Sequence, residues 1–179
     1  PSLALSSTST SIPVNGTATV IATSSVVGAG PASTGAITYG IISFLGGASA
    51  TIQANTGVIT ATASGQIVVA AFQASDANYT SASASITIDI SAGQQVLSFG
   101  AASYTLLTNQ TQTITATNNV GNGGAITYSI TAGSGSATVN DITGQITGIA
   151  AGSVTLTAQA AATSNYNASS TSVLVTIYA

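Results

Sequence analysis

The feature that most constrains the fold is a duplication. Gly35-Ala36-Ile37-Thr38-Tyr39 returns as Gly124-Ala125-Ile126-Thr127-Tyr128. Thr56-Gly57-Val58-Ile59-Thr60 returns as Thr143-Gly144-Gln145-Ile146-Thr147, and Asn78-Tyr79 as Asn165-Tyr166. The early segments align too: Leu3-Ala4-Leu5 with Leu97-Ser98-Phe99, and Asn15-Gly16-Thr17 with Asn109-Gln110-Thr111. The order is kept and the offset is nearly constant, at roughly 90 residues. That period is too long for one turn of a solenoid and suits a small sandwich domain.

Within each copy the apolar period is two. Ile37, Tyr39 and Ile41 alternate with small or polar residues, as do Ile67, Val69 and Ala71, and Ile86, Ile88 and Ile90. The second copy repeats this at Ile126, Tyr128 and Ile130, at Val154, Leu156 and Ala158, and at Val173, Val175 and Ile177. Alternation of this kind describes strands with one buried face, and no segment carries a 3.6-residue apolar stripe. The expected class is all-β, with about seven strands per copy. In the first copy they fall near 2–6, 17–23, 36–42, 49–53, 58–62, 66–73 and 84–90. In the second they fall near 95–99, 111–117, 125–131, 136–140, 145–149, 153–159 and 172–178. Pro13 interrupts the first strand region and fits an edge position, where its missing N–H does no harm. The expected domains are 1–90 and 91–179. The hinge, Ser91-Ala92-Gly93, is short enough to predict a semi-rigid end-to-end arrangement.

Composition decides what chemistry is excluded. The chain has no Lys, Arg, His, Cys or Met, and its only side-chain acids are Asp76, Asp89 and Asp141. No His or Lys is present to act as a general base, no thiolate as a nucleophile, and no Cys/His set to hold zinc. We therefore expect no enzyme activity and no cofactor. A formal charge of −3 without a cation argues against nucleic acid and anionic lipid, which both need Lys or Arg. Mean hydropathy is +0.52. It arises from Ala, Val and Ile alternating with Ser and Thr, and no run approaches the ~20 apolar residues of a spanning helix. Intramolecular isopeptide bonds would need Lys and are excluded.

The run Ser136-Ala-Thr-Val-Asn-Asp-Ile-Thr-Gly-Gln-Ile-Thr-Gly-Ile-Ala-Ala-Gly-Ser-Val-Thr-Leu-Thr-Ala158 resembles bacterial Ig-like repeats of the group 2 type. Those carry an A-T-V-x-x-x-G-x-V-T-G-x-A-A-G-x-x-x-I-T-A pattern across their central hairpins. The first copy keeps a looser version over 50–71, with Ala61 and Ser64 where the pattern prefers Gly and Ala. Tyr39 and Tyr128 stand where many relatives have Trp. The resemblance covers both halves and implies two tandem Ig-like β-sandwiches. It also implies an extracellular, cell-surface setting, since such modules serve mostly as spacers in adhesins, intimins, pilus-like fibres and surface enzymes. It is specific for fold rather than function.

Few residues remain as candidates for chemistry. Asp76, in Ser-Asp-Ala-Asn, and Asp141, in Asn-Asp-Ile-Thr-Gly, are expected to form turns by accepting from their own backbone. Asp89 lies on the last strand of the first copy. Calcium would need clustered oxygen ligands, and these acids are single and scattered, so no metal site is expected. Tyr79 and Tyr166 end the same loop in both copies and are expected to plug one end of the sandwich, with the hydroxyl bonded to backbone. Asn15, Asn78, Asn109 and Asn167 begin Asn-x-Ser/Thr sequons and are candidate acceptors for N-linked glycans. Four sequons are no more than the Asn, Ser and Thr content gives by chance. Thr111, Thr113, Thr115 and Thr117 form a one-sided row, echoed at Thr17 and Thr19. Flat Thr arrays occur on ice-binding surfaces, but the high β propensity of Thr accounts for the row on an ordinary exposed sheet.

A surface of Ser, Thr, Asn, Gln and Gly lacks the charge repulsion that keeps proteins apart. Strand edges without Lys lack the residues that block edge-to-edge pairing. These features point to a non-catalytic extracellular structural protein. The expected role is subunit of a self-associating, pilus- or thread-like cell-surface filament, a homopolymer built end to end. Donor-strand addition by residues 1–12 is one expected route. The alternatives are a two-repeat stalk segment of a large adhesin, or a carbohydrate- or ice-binding module.

Overall fold

The computed structural model describes residues 1–179 except Val27 and Ala29. The protein is all-β and separates into two compact units, Pro1–Gly93 and Gln94–Ala179.

In the first unit, β1 (Ser2–Ser7), β3 (Thr17–Ser25), β6 (Val58–Ala63) and β5 (Ser49–Ile52) form one sheet, in the order β1-β3-β6-β5. The second sheet is ordered β2-β8-β7-β4, from β2 (Ser11–Pro13), β8 (Ala82–Ser91), β7 (Gly65–Gln73) and β4 (Ile37–Leu45). Lettered in chain order with β2 as a split-off part of the first strand, these sheets are A-B-E-D and A′-G-F-C. That is the order of an immunoglobulin-type sandwich. The inward residues follow the alternation: Val20, Ile59, Ala61, Ile67, Val69, Ala71 and Ile88 are fully buried between the sheets. At about 25 cal/mol per Å², burial of these small aliphatic chains supplies most of the first unit's apolar driving force.

The second unit repeats the order in β10 (Ser103–Leu107), β17 (Ser169–Tyr178), β16 (Gly152–Ala160) and β13 (Ile126–Ala132), paired β10-β17-β16-β13. The opposing layer consists of β11 (Thr111–Thr113), β15 (Gln145–Ala150) and β14 (Ser136–Val139), together with the pair β12 (Ala116–Asn118) and β9 (Leu97–Phe99). Leu106, Ile114, Ile146, Leu156, Val175 and Ile177 centre its core.

Two strand expectations are corrected. The short parallel strand that pairs with the last strand, β2 on β8 and β10 on β17, was not anticipated. Pro13 ends β2 at the sheet edge, as its missing N–H requires. The expected strand at 111–117 is broken into β11 and β12 at Ile114 and Thr115. Ile114 N there donates to Gly144 O, just as Val20 N donates to Gly57 O in the first unit. These glycines take φ of 70° and 69°, and a Cβ on either would collide with the carbonyl of Val20 or Ile114. The Thr-Gly of each repeat is therefore demanded by backbone conformation and close approach.

Each sandwich is pinned through its core by a tyrosine. Tyr39 Oη accepts from Ala22 N at 3.0 Å, and Tyr128 Oη accepts from Ala116 N at 3.1 Å. Each ring leaves the C strand, crosses the core and satisfies a backbone donor in the opposite sheet.

Candidate interaction surfaces

The donor-strand expectation does not stand. Residues 2–7 occupy their own sheet, paired antiparallel from Ser2↔Ser25 to Ser7↔Val20. Ser11, Ile12 and Pro13 pair with Asp89, Ile90 and Ser91. The main-chain groups that a neighbour would have to capture are already bonded within the unit.

The acids are structural. Asp76 Oδ2 accepts from Ser33 Oγ at 2.7 Å and Thr34 N at 2.8 Å, and its Oδ1 accepts from Asn78 N and Tyr79 N, both at 2.9 Å. The Ser33 hydroxyl and these N–H groups hold the carboxyl well below the usual carboxylate range. Asp76 therefore closes its own turn, as expected, and also ties the strand-joining segment before β4 to the loop after β7. Asp141 does not do what was expected of it. The side chain that accepts in that turn is Asn140, whose Oδ1 takes Ile142 N at 3.0 Å and Thr143 N at 2.9 Å. Asp141 contributes its carbonyl, which accepts from Tyr128 N at 2.8 Å. Asp89 accepts from Gln66 Nε2 at 2.7 Å on the exposed side of β8. Among the described residues no three acids come together.

Tyr79 Oη donates to Pro31 O at 2.7 Å, the backbone bond expected of it, and Tyr166 is buried at the matching loop.

All four sequon asparagines are exposed. Asn15 and Asn109 take φ of 68° and 64°. Gly16 N donates to Pro13 O and Gln110 N to Leu107 O, so each Asn is the third residue of a tight turn with positive φ there. Gly and Asn are favoured at such a position, which accounts for the repeated placement by turn chemistry. Asn78 lies in the Asp76 turn, and Asn167 precedes β17.

The Thr row is exposed throughout and extends across strands. Thr111 and Thr138 flank Thr147, with Thr111 and Thr147 hydroxyls 3.0 Å apart. Thr17 and Thr51 flank Thr60 in the same way in the first unit. Two residues absent from the site expectations are the buried glutamines. Gln73 Nε2 donates to Gly35 O at 3.2 Å, and its Oε1 accepts from Ser24 Oγ at 2.7 Å. Gln95 Nε2 donates to Ala161 O at 2.8 Å and Asn167 O at 2.7 Å, while its Oε1 accepts from Asn118 Nδ2 at 2.7 Å and Gly124 N at 3.1 Å. Gln73 was detectable, since it continues the inward series Ile67, Val69, Ala71. Gln95 carries no such signal.

No protein-family model matches the chain. No curated protein matches it either. Among solved structures it is similar to domains 4 and 5 of the S-layer protein SbsC, at 16% identity and a TM-score of 0.40, over 99% of this chain and 98% of that one. It is also similar to the C-terminal fragment of intimin crystallised with the intimin-binding domain of its translocated receptor, at 17% identity and a TM-score of 0.35, over 97% of this chain and 63% of that one. A third likeness is to fibronectin(III)-like modules of Clostridium thermocellum CbhA, at 13% identity and a TM-score of 0.35, over 98% and 94%. The Ig-like assignment rests on the strand order described above.

Proposed function

We propose that this chain is a non-catalytic extracellular structural protein built of two tandem Ig-like modules, 1–90 and 91–179, and a subunit of a cell-surface filament that associates with copies of itself. The observation that carries this reading is where charge is missing. Both units keep their core alternation and turn residues, while nearly every outward position is uncharged, filled by Ser, Thr, Asn, Gln, Gly and Ala with scattered larger apolar residues such as Ile42, Phe44, Leu107 and Ile149. The edge strands β4 and β13 carry no charged residue. Such edges and faces oppose self-packing very little. Filament contacts would form without residues 1–12 being donated.

Exposed Asn15, Asn78, Asn109 and Asn167 are open to N-linked glycans, which would give this neutral surface the hydration that charge does not. The duplicated unit equally favours a stalk segment of an adhesin. Negative-stain microscopy of the purified protein separates the two. Fibres that persist unchanged from low to ~1 M salt support the filament, because no ion pairs are available to be screened. Short monomeric rods at all concentrations support the stalk and defeat the filament. Intact-mass measurement of protein from the native source reads sequon use directly.

A further inference from the structure

The second unit carries an open cleft of about 500 Å³ where β13 begins, β16 ends and β17 begins. Its size falls within the range of small-ligand sites. Ala125, Ala160, Ala161 and Ala168 supply small apolar walls. Across its outer side runs one register row, Thr127 on β13, Gln159 on β16 and Ser170 on β17. These three side chains make no hydrogen bond within the described protein and face solvent. The rim is held in place from behind. Buried Gln95 bonds Ala161 O and Asn167 O on the two sides of the loop between β16 and β17, and takes Gly124 N beside Ala125. Three free polar groups on three paired strands thus stand beside a backbone rim that a buried amide fixes.

We propose that this cleft binds a neutral pyranose sugar. No ionisable side chain lines it, so neither an anion nor a cation finds a partner there. A pyranose offers a C–H face to the alanines and hydroxyls that both donate and accept, matching the Thr127 and Ser170 hydroxyls and the Gln159 amide. With no aromatic platform the binding is weak, with Kd on the order of 1–10 mM. The first unit has Thr38, Phe72 and Ser83 in the corresponding row. Phe72 replaces the amide there, so the first unit lacks this hydrogen-bonding row.

The test is a backbone-amide NMR titration of the full chain, made in a non-glycosylating bacterial host, with maltose, cellobiose and N,N′-diacetylchitobiose. Saturable shifts with at least one of them, confined to 124–128, 158–161 and 167–171, are expected. Gln159→Ala, which removes the amide without adding a ring, should weaken binding at least tenfold and leave other resonances in place. No saturable shift up to about 50 mM, equal binding of glucuronate, or full retention by Gln159→Ala would overturn the proposal. The sugar has two sources, a free saccharide or a glycan on neighbouring Asn167. Protein from a glycosylating host tells them apart. A titration blocked there and restored by Asn167→Gln makes the glycan the occupant, and an unchanged titration makes it a free saccharide.

Discussion

The two units close the same end of their sandwich with the same side chain taken from different places. In the first, Gln73 comes from the inward face of β7, where the second has Ala160. In the second, Gln95 comes from the segment before β9, a position that the repeat offset aligns with Pro1. Both reach the glycine at the start of the C strand: Gln73 donates to Gly35 O, and Gln95 accepts from Gly124 N. The shared requirement is a buried partner for backbone groups stranded where the loops meet the core. A residue that meets it need not keep its place in the strand pattern. The duplication therefore preserved the burial problem while the residue that answers it moved.

Removing these amides is the strongest way to break the comparison. Gln95→Ala removes the partner of two carbonyls, one backbone N–H and the Asn118 amide, and should cost the second unit about 4 kcal/mol at roughly 1 kcal/mol per part-buried hydrogen bond. Gln73→Ala loses two bonds and should cost the first unit about 2 kcal/mol. Urea unfolding of the full chain, followed by NMR signals of each unit, separates them. Equal losses would mean that the amides contribute by packing rather than by the groups they satisfy.

The tyrosines sharpen the comparison from the other side, because here the units agree. Tyr39→Phe and Tyr128→Phe each leave one strand N–H without its acceptor and should cost about 1–2 kcal/mol in their own unit. Tyr128 is buried and Tyr39 half-buried, so the second loss should be the larger. A negligible effect in either unit would mean that water replaces the hydroxyl.

Much of the architecture was legible because small aliphatic residues at period two leave little choice of fold. The parts that escaped lie where that signal is short or shared. Strand β2 has three residues, too few for a period, and its parallel partner is about 80 positions away. Strand β10 did alternate, at Tyr104 and Leu106, and could have been found. The break at Ile114 and Thr115 is invisible because both halves keep the same alternation. In the Asn-Asp turn two adjacent side chains could equally accept from the next N–H groups, and only the backbone path selects Asn140. The outward row of Thr127, Gln159 and Ser170 is spread over three strands, so it exists only once the register is known.

The smallest expected effect is also the most local. Asp76 and Thr163 hold the same turn. Asp76 Oδ1 accepts from Asn78 N and Tyr79 N, and Thr163 Oγ1 accepts from Asn165 N and Tyr166 N at 3.3 and 3.1 Å. Only Asp76 also reaches across to Ser33 and Thr34, and only Asp76 titrates. Its carboxyl is depressed in the folded state, so the unfolded chain binds the proton first as pH falls. The contribution is full above about pH 4–5, declines below the unfolded value near 3.9, and is lost as pH drops through the folded value. Amide exchange, corrected for intrinsic rates, should show 33–35 and 76–79 loosening between pH 5 and pH 2 while 163–166 keep their protection. Asp76→Asn should loosen the first loop already at pH 7 and flatten its pH dependence. If both loops respond alike to acid, the carboxylate is not what ties the first one down, and a neutral hydroxyl such as Thr163 serves as well.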